Sequence, residues 1–153
     1  MAEALFYHLT IHPLERALPT LIERTLEKGW RAVVRASSAE RIAFLDNVLW
    51  TYRDESFLPH GCAGGETPER QPVYLTTGDE IPNQADVLFI VDQADTADFA
   101  SATRTIVMFD GADEEAVAFA REQWKRAAAA VTATYWRQDN SGRWEKAAES
   151  ASS

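Results

Sequence analysis

Residues 85–91 read ADVLFIV and residues 105–109 read TIVMF, two apolar runs that lie close together in the chain. Both runs are of strand length rather than helix length. Strands covered by helices on both faces read as near-continuous apolar runs, whereas half-exposed strands alternate apolar and polar residues. The two runs therefore predict neighbouring strands at the centre of a mainly parallel sheet.

Further elements alternate on either side of these runs. Residues 5–9, 30–36 and 72–77 are strand candidates, and residues 132–136 with 143–144 suggest a closing strand or hairpin. Apolar residues recur at helical spacing from Leu14, and Gly29 fits the end of that helix. Pro19 conflicts with the interior of a helix, so a start near Pro19 is an alternative.

Two more helices have clear start signals. The sequence SSAE at residues 37–40 is a capping box for a helix that runs to about residue 51. Asp113 begins a helix that runs to about residue 130. Strands that alternate with helices predict a three-layer α/β fold of Rossmann-like type, with a mainly parallel sheet flanked by helices. We expect residues 1–146 to form a single domain and residues 147–153 to be a disordered tail.

Composition places the chain among ordinary globular proteins. Of its 153 residues 46% are hydrophobic and 25% charged, which excludes collagen-like, coiled-coil and disordered classes. Cys62 is the only cysteine, so no internal disulfide forms, which favours a reducing cytoplasm. The first residues do not resemble a signal peptide, and no segment has the ~20 apolar residues of a membrane span. These observations predict a cytoplasmic protein.

Charge is distributed unevenly along the chain. The net charge of −9 disfavours direct binding to a nucleic-acid backbone. Residues 54–99 contain ten acidic residues and one basic residue, whereas residues 121–146 contain six basic and three acidic residues. A local basic patch on an acidic protein indicates a small acidic partner rather than a long polyanion.

A Rossmann-like sheet raises the question of a nucleotide, but the sequence lacks the loops that bind one. Residues 10–13 read TIHP after the first strand, without the glycines that let a pyrophosphate approach the backbone. The glycine-rich segment at residues 61–65 lacks the strand before and the helix after that a phosphate loop requires. We therefore expect no cofactor and no enzymatic activity.

The acidic residues after the central strand leave one alternative open. Asp92 ends an apolar strand as the magnesium-binding aspartate of P-loop enzymes does, and Asp95 and Asp98 follow it. A hard cation could bind there, but a solvated acidic loop is the simpler interpretation. His60 and Cys62 offer two ligands where a structural zinc needs four, so we expect no metal site. A degenerate nucleotide- or metal-binding enzyme that uses Asp92 remains the rival hypothesis.

Two helices carry aromatic residues in positions unusual for a core. On the helix after Ser38, Trp50 lies about 140° from the middle of the apolar stripe and should face outward. With Phe57, Leu58 and Pro59 just after it, Trp50 suggests an apolar surface for a partner. The alternative is that the following loop folds back and buries Trp50.

On the helix from Asp113, Trp124 lies at the edge of the buried face beside Arg121 and Lys125. The residues that we expect to face inward are Ala116, Val117, Ala120, Trp124, Ala127 and Val131. Two cations beside an aromatic wall suit a short acidic peptide that ends in an apolar residue. The alternative is an ordinary amphipathic helix with solvated charges.

Four segments together resemble the chi subunit of bacterial DNA polymerase III holoenzyme. They are FYHL at residues 6–9, LDNVLWT at residues 45–51, SFLPH at residues 56–60 and AREQWK at residues 120–125. The resemblance runs from about Leu5 to Trp144. It implies a Rossmann-like fold without nucleotide chemistry and a protein without catalytic activity.

The family resemblance also implies partners. Members pair with the psi subunit of the clamp-loader complex, and the match assigns that surface to Trp50, Phe57, Leu58 and Pro59. Some relatives use the same surface for a repair helicase.

Members also bind the acidic, phenylalanine-terminated tail of the single-stranded-DNA-binding protein. The match assigns this site to Arg121, Trp124 and Lys125. Val117 stands where the family can have a further base, which predicts a less cationic pocket. Tyr135 and Trp144 are near enough in the sequence to complete the pocket.

Overall fold

The fold is seen in a computed structural model that describes residues 2–51, 61–62, 68–94, 99–141 and 143–149. Its strands are β1 (Glu3–Leu9), β2 (Ala32–Arg35), β3 (Gly61–Cys62), β4 (Val73–Thr76), β5 (Val87–Ile90), β6 (Arg104–Asp110), β7 (Thr132–Gln138) and β8 (Trp144–Glu149). The helices in the described ranges are α1 (Leu14–Glu27), α2 (Ala39–Thr51) and α3 (Glu114–Ala130), with a short 3-10 turn at Pro68–Arg70.

The described strands form one eight-stranded sheet in the order β3-β4-β2-β5-β6-β1-β7-β8. Neighbouring strands in it are parallel except in the β7–β8 hairpin. Helices α1 and α2 pack their apolar residues on one face of the sheet, and α3 packs on the other. The predicted three-layer, mainly parallel α/β fold of Rossmann-like type is confirmed.

The central strand β5 is buried on both faces, as its unbroken apolar sequence predicts. Val87 and Phe89 belong to the core under α1 and α2, whereas Leu88 and Ile90 belong to the core under α3. This strand lies between β2 and β6, so neither of its edges meets solvent. Every position of β5 therefore faces one of the two cores, which favours an apolar residue at each of them.

Helix α1 begins at Leu14 and contains Pro19 in its interior, so the alternative start near Pro19 is wrong. The carbonyl of Pro13 accepts hydrogen bonds from the backbone N–H groups of Arg16 and Ala17 and thereby starts the helix. Leu18 and Ile22 are fully buried on either side of Pro19. Their burial offsets the backbone hydrogen bond that proline cannot donate.

The predicted glycine at the end of α1 is confirmed. Gly29 has φ of +79°, in the left-handed region that glycine adopts without penalty. The Gly29 N–H donates to the Leu26 carbonyl, and the Trp30 N–H donates to the Thr25 carbonyl. These two bonds form a Schellman motif, which directs the chain from α1 into β2.

Side-chain oxygens cap the other two helices. The Ser38 hydroxyl accepts the N–H of Arg41 at 3.2 Å, so α2 is capped by Ser38 rather than by a box between Ser37 and Glu40. The Asp113 carboxylate accepts the N–H groups of Glu115 and Ala116 at 3.0 and 3.3 Å. Asp113 thus begins α3 as predicted.

The β7–β8 hairpin is longer than the sequence predicts. We expected the domain to end at residue 146, but β8 continues to Glu149 and pairs with β7. Ala148 lies opposite Tyr135, and Glu149 lies opposite Thr134. The small and charged residues of this segment are compatible with an exposed edge strand because only backbone groups make the pairing.

Candidate functional site

A cavity of about 460 Å³ lies between α3 and the strands β1, β6 and β7. It is lined by Phe6, His8, Phe109, Val117, Ala120, Arg121, Trp124, Lys125, Tyr135, Arg137 and Ala148. We call it the α3 cavity. Helix α3 gives one wall, and the sheet gives the floor.

Strand alternation makes the floor aromatic. In the parallel register Phe6 lies beside Tyr135, and His8 lies beside Phe109 on one side and Arg137 on the other. Side chains two residues apart on a strand share a face, so all of these point toward α3. The floor therefore consists of two rows of side chains, which come from the strands β1, β6 and β7.

The rings of the cavity pack edge to face. Trp124 from α3 meets Phe6 with ring centroids 5.3 Å apart and Tyr135 at 6.3 Å. The Phe109 and Tyr135 rings lie 6.0 Å apart. Such tilted contacts are favourable arrangements of aromatic quadrupoles and hold the rings in place. The cavity therefore offers a preformed apolar surface on which another aromatic side chain can pack.

His8 anchors the middle of the floor. Its Nδ1 is hydrogen bonded to the Tyr135 hydroxyl, and its Nε2 side lies so close to Gly111 that a β-carbon at residue 111 would collide with the ring. Burial lowers the pKa of His8 below its usual value, the positive charge of Arg137 lowers it further, and Asp110 opposes both effects. His8 is thereby favoured in its neutral form, as a partner that orients Tyr135.

The rim of the cavity is cationic. Arg121 and Lys125 come from α3 and Arg137 from β7, and no acidic residue is among the lining residues. Lys125 is 3.3 Å from Glu122 in an exposed pair on the helix surface, a kind of contact that contributes little. Within the described ranges, neither Arg121 nor Arg137 forms an ion pair. Their guanidinium groups are available to an anionic ligand.

The structure brings together the four predicted site residues of α3: Val117, Arg121, Trp124 and Lys125 all line this cavity. Val117 and Trp124 are half-buried rather than fully inward, as is Val131. Gln123 is instead buried to 2% exposure. The buried face of α3 is thus rotated slightly from the predicted one, which leaves Trp124 at the cavity wall.

Of the two aromatic residues expected to complete the pocket, Tyr135 does so and Trp144 does not. Tyr135 lines the floor, whereas Trp144 stacks on Tyr7 with centroids 4.5 Å apart in the core beneath α1. Strand register explains the difference, because Tyr7 follows Phe6 and so points to the opposite face of the sheet.

Sequence reasoning missed Phe6, His8, Phe109 and Arg137 as lining residues. The segment FYHL contributed to the family resemblance, but its residues were not assigned to the pocket. The available signal was the alternation of side chains along β1, β6 and β7. It becomes useful only when the pairing of three distant segments is known.

A second cavity of about 480 Å³ lies at the carboxyl ends of β1 and β6. Helix α1 follows β1 onto one face of the sheet and α3 follows β6 onto the other, so this edge is a topological switch point. Nucleotides bind at such a point in related folds. Its charged lining residues are Glu15, Arg41, Asp92, Asp110 and Asp113.

At this edge a side chain satisfies the backbone amides after β1. Gln138 Oε1 accepts the N–H groups of Thr10, Ile11 and His12 at 3.2 to 3.4 Å. The Gln138 amide nitrogen also lies 3.1 Å from His12 Nδ1. In a dinucleotide-binding fold the loop after the first strand faces the pyrophosphate. Here the loop amides are already bonded within the chain.

Asp92, the residue of the rival hypothesis, is bonded to an arginine. Its carboxylate accepts a hydrogen bond from Arg41 Nε at 2.8 Å. The described residues include no group of three histidine, cysteine, aspartate or glutamate side chains placed to hold a metal ion. Asp95 and Asp98, which the hypothesis also used, lie outside the described residues, as do His60 and the side chain of Cys62.

The second predicted surface is described only in part. Helix α2 buries Ile42, Leu45 and Leu49 as its spacing predicts. Phe57, Leu58, Pro59 and the side chain of Trp50 lie outside the described residues. On the outward side of α2, Phe44 is 41% exposed, and the Arg41 guanidinium lies 4.6 Å from the centre of its ring.

No helix in the described ranges is long and apolar enough to cross a membrane.

Comparison with known proteins identifies the family of the chain. Residues 1–134 match the family model described as DNA polymerase III chi subunit, HolC. The chain is 30% identical over 133 residues to DNA polymerase III subunit chi of Escherichia coli (strain K12), which covers 82% of this chain and 90% of that protein.

It is also 29% identical over 109 residues to the probable DNA polymerase III subunit chi of Rickettsia prowazekii (strain Madrid E). That match covers 71% of this chain and 66% of the relative, so the chain spans just under two thirds of the relative's length. From the match over residues 1–134 and these two similarities we conclude that the chain belongs to the DNA polymerase III chi subunit family.

Proposed function

We propose that this protein is a non-catalytic adaptor in DNA replication. One surface, around Trp50, Phe57, Leu58 and Pro59, pairs with the psi subunit of the clamp-loader complex. The α3 cavity binds the acidic C-terminal tail of the single-stranded-DNA-binding protein. The observation that carries the proposal is a cavity with an aromatic floor, a rim of three cations and no acidic lining residue, on a protein with net charge −9.

The chemistry of the α3 cavity matches a peptide that is acidic and ends in an aromatic residue. The rings of Phe6, Tyr135 and Trp124 form an apolar aromatic surface against which a phenyl ring can pack. Arg121 and Lys125 lie beside that surface and complement carboxylates. A nucleic-acid strand fits less well, because the overall negative charge repels its phosphates.

Weak binding of a single tail suffices for such an adaptor. Many tails displayed along one coated DNA strand raise the local concentration, so that modest affinity per tail still holds the assembly. The absence of a base at Val117 is compatible with this mode of binding. As part of a bacterial replication complex, the protein would act in the cytoplasm.

The absence of catalysis is supported by what occupies the switch point. Gln138 bonds the three loop amides, and Arg41 neutralises Asp92. Of the remaining acidic lining residues, Glu15 lies 3.9 Å from Arg41, and Asp110 and Asp113 accept hydrogen bonds from neighbouring backbone N–H groups. These contacts favour the adaptor over the nucleotide- or metal-binding enzyme that uses Asp92.

The decisive experiment is a calorimetric titration of the full chain with a synthetic copy of the tail of the single-stranded-DNA-binding protein. We expect saturable binding that weakens with added salt, because the rim contacts are ionic. A control peptide without the terminal phenylalanine should bind at least tenfold more weakly, since burial of a phenyl side chain contributes about 1.5 to 3 kcal/mol.

A pair of variants localises the site. Arg121→Ala should lose about tenfold in tail affinity, because a charge-assisted hydrogen bond contributes about 1.5 kcal/mol or more. Arg126→Ala removes the same charge from the same helix outside the α3 cavity and should change the affinity less than twofold. Full tail affinity in Arg121→Ala would show that the α3 cavity is not the binding site.

A further inference from the structure

We propose that His8 couples the binding of an acidic peptide in the α3 cavity to the uptake of a proton. The bound peptide favours the charged form of the imidazole ring, so binding becomes tighter as the pH falls. This inference rests on the proposed tail-binding function, to which it adds a regulation by pH.

His8 lies where a ligand of the α3 cavity can act on its charge. The ring lines the cavity together with Arg121 and Lys125 of α3 and Arg137 of β7. It is half-buried, so a ligand that fills the cavity lies beside it. Because no acidic side chain is among the lining residues, the empty cavity provides no counter-charge for an imidazolium.

The charged groups around His8 belong to the elements that pack against it. Burial of the ring lowers the pKa of His8 most, the positive charge of Arg137 lowers it further, and the Asp110 carboxylate opposes both. From α3, Arg121 and Lys125 add positive charge to the same cavity. The acidic residues of α3, its cap and β8 do not line it; they are Asp113, Glu114, Glu115, Glu122, Glu145 and Glu149.

The contacts of His8 allow the ring to take up a proton without a rearrangement of the floor. Its Nδ1 is hydrogen bonded to the Tyr135 hydroxyl, and a hydroxyl group can both donate and accept. A neutral ring can accept the hydroxyl hydrogen at Nδ1, whereas an imidazolium donates its own hydrogen to the hydroxyl oxygen. Protonation at this position therefore requires a compensating negative charge rather than a new partner for Nδ1.

An acidic peptide supplies this charge. Its carboxylates are ionised above about pH 5 and complement the cations of the rim. They neutralise positive charges that oppose protonation of His8, and they act across a partly buried cavity, where screening by water is weaker than in bulk solution. The pKa of His8 therefore rises when the peptide binds.

The sign of the pH dependence follows from linkage. Between the lower pKa of His8 in the free protein and the higher one in the complex, the complex holds more protons than the free protein does. The affinity therefore increases as the pH falls through this interval and becomes constant below it. An increase of about one unit in the pKa of His8 corresponds to a limit of about tenfold in affinity.

The first test is an NMR titration of the histidine rings of the full chain, alone and saturated with the tail peptide. The peptide carries an acetylated N-terminus and no histidine, so none of its groups titrates between about pH 6 and 8. We expect the pKa of His8 to be about one unit higher in the complex. The ring signals of His12, which lies at the switch point, should be unaffected by the peptide.

The second test is calorimetric titration at constant ionic strength. The wild type should bind the peptide about threefold more tightly at about pH 6 than at about pH 8. His8→Gln should lose this difference, and the matched control His12→Gln should keep it. Melting temperatures at both pH values check that the variants are folded.

The outcomes separate this inference from the function on which it rests. An unchanged or lower pKa of His8 in the complex, or an equal pH dependence in wild type and His8→Gln, would show that His8 does not link binding to protonation, while tail binding stands. If the wild type binds no peptide at either pH, the proposed function fails and the inference fails with it. If His8→Gln does not fold, the NMR titration of the wild type decides.

Discussion

The His8 ring shows how one residue of the α3 cavity couples protonation to folding. Its hydrogen bond to the Tyr135 hydroxyl and its close contact with Gly111 leave little room for a hydrated imidazolium. Burial and, secondarily, Arg137 lower its folded-state pKa below the value of about 6.5 expected in the unfolded chain. The unfolded state therefore takes up the proton at a higher pH than the folded state does.

We predict a pH dependence of stability from this difference. The contribution of His8 should be complete above about pH 6.5 and should decrease as the pH falls through that value toward the lower folded-state pKa. Urea denaturation between about pH 5 and 8 should show a decline on acidification that is smaller in His8→Gln. The matched control His12→Gln, whose ring lies at the switch point, should keep the decline. Identical profiles for His8→Gln and wild type would contradict this account.

The sequence identifies some site residues more readily than others. Val117, Arg121, Trp124 and Lys125 lie on one helix, where a spacing of 3.6 residues is enough to show that they share a side. Arg137, His8 and Phe109 become neighbours only through the pairing of β7, β1 and β6. That pairing is a long-range property, and a shift of one residue would turn Arg137 to the opposite face of the sheet.

At the level of the helices, the Schellman motif after α1 permits a stability test separate from binding. A β-carbon on Gly29 would meet no heavy atom within 4 Å, so substitution there costs only the strain of the left-handed backbone. Gly29→Ala should lower the free energy of unfolding by about 1 kcal/mol and leave tail affinity unchanged. Urea denaturation and the peptide titration measure the two effects.

Asparagine provides the matched control for this position. It tolerates positive φ better than alanine does, so Gly29→Asn should cost less stability than Gly29→Ala. Equal losses in the two variants would mean that the cost does not arise from the backbone conformation.

Most elements could be predicted from periodicity, and the deviations have local causes. Apolar spacing gave α1, α2 and α3, while Pro19 suggested a break that the buried neighbours Leu18 and Ile22 override. The end of β8 was missed because its outer residues carry no apolar pattern. An edge strand that is held by backbone hydrogen bonds does not require an apolar pattern of side chains, so its sequence does not reveal it.

Across the described part of the molecule, helix α2, which carries Trp50, and the α3 cavity lie on opposite faces of the sheet. The proposed psi surface includes Trp50 of α2, and α2 packs on one face of the sheet, whereas the α3 cavity lies on the other face. The cationic rim and the acidic switch point are likewise separate regions of one small fold. An adaptor that must hold two partners at once needs such separation.

This separation predicts that both partners bind simultaneously. With a psi subunit from the same organism at saturation, tail-peptide affinity measured by fluorescence anisotropy should change less than twofold. Trp50→Ala should lose psi binding in size-exclusion chromatography and keep tail binding, and Arg121→Ala should do the reverse. Displacement of the labelled peptide by psi would show that the surfaces overlap.

The Gln138 contact at the loop after β1 also has a consequence for any ligand at the switch point. A phosphate group that sought the amides of Thr10, Ile11 and His12 would have to displace a carboxamide that the chain itself supplies. An intramolecular competitor of this kind acts at an effective concentration of about millimolar or higher. The Gln138 carboxamide thus occupies the three loop amides that a phosphate would need. Adding glycines to the loop would leave these amides occupied as long as Gln138 is present.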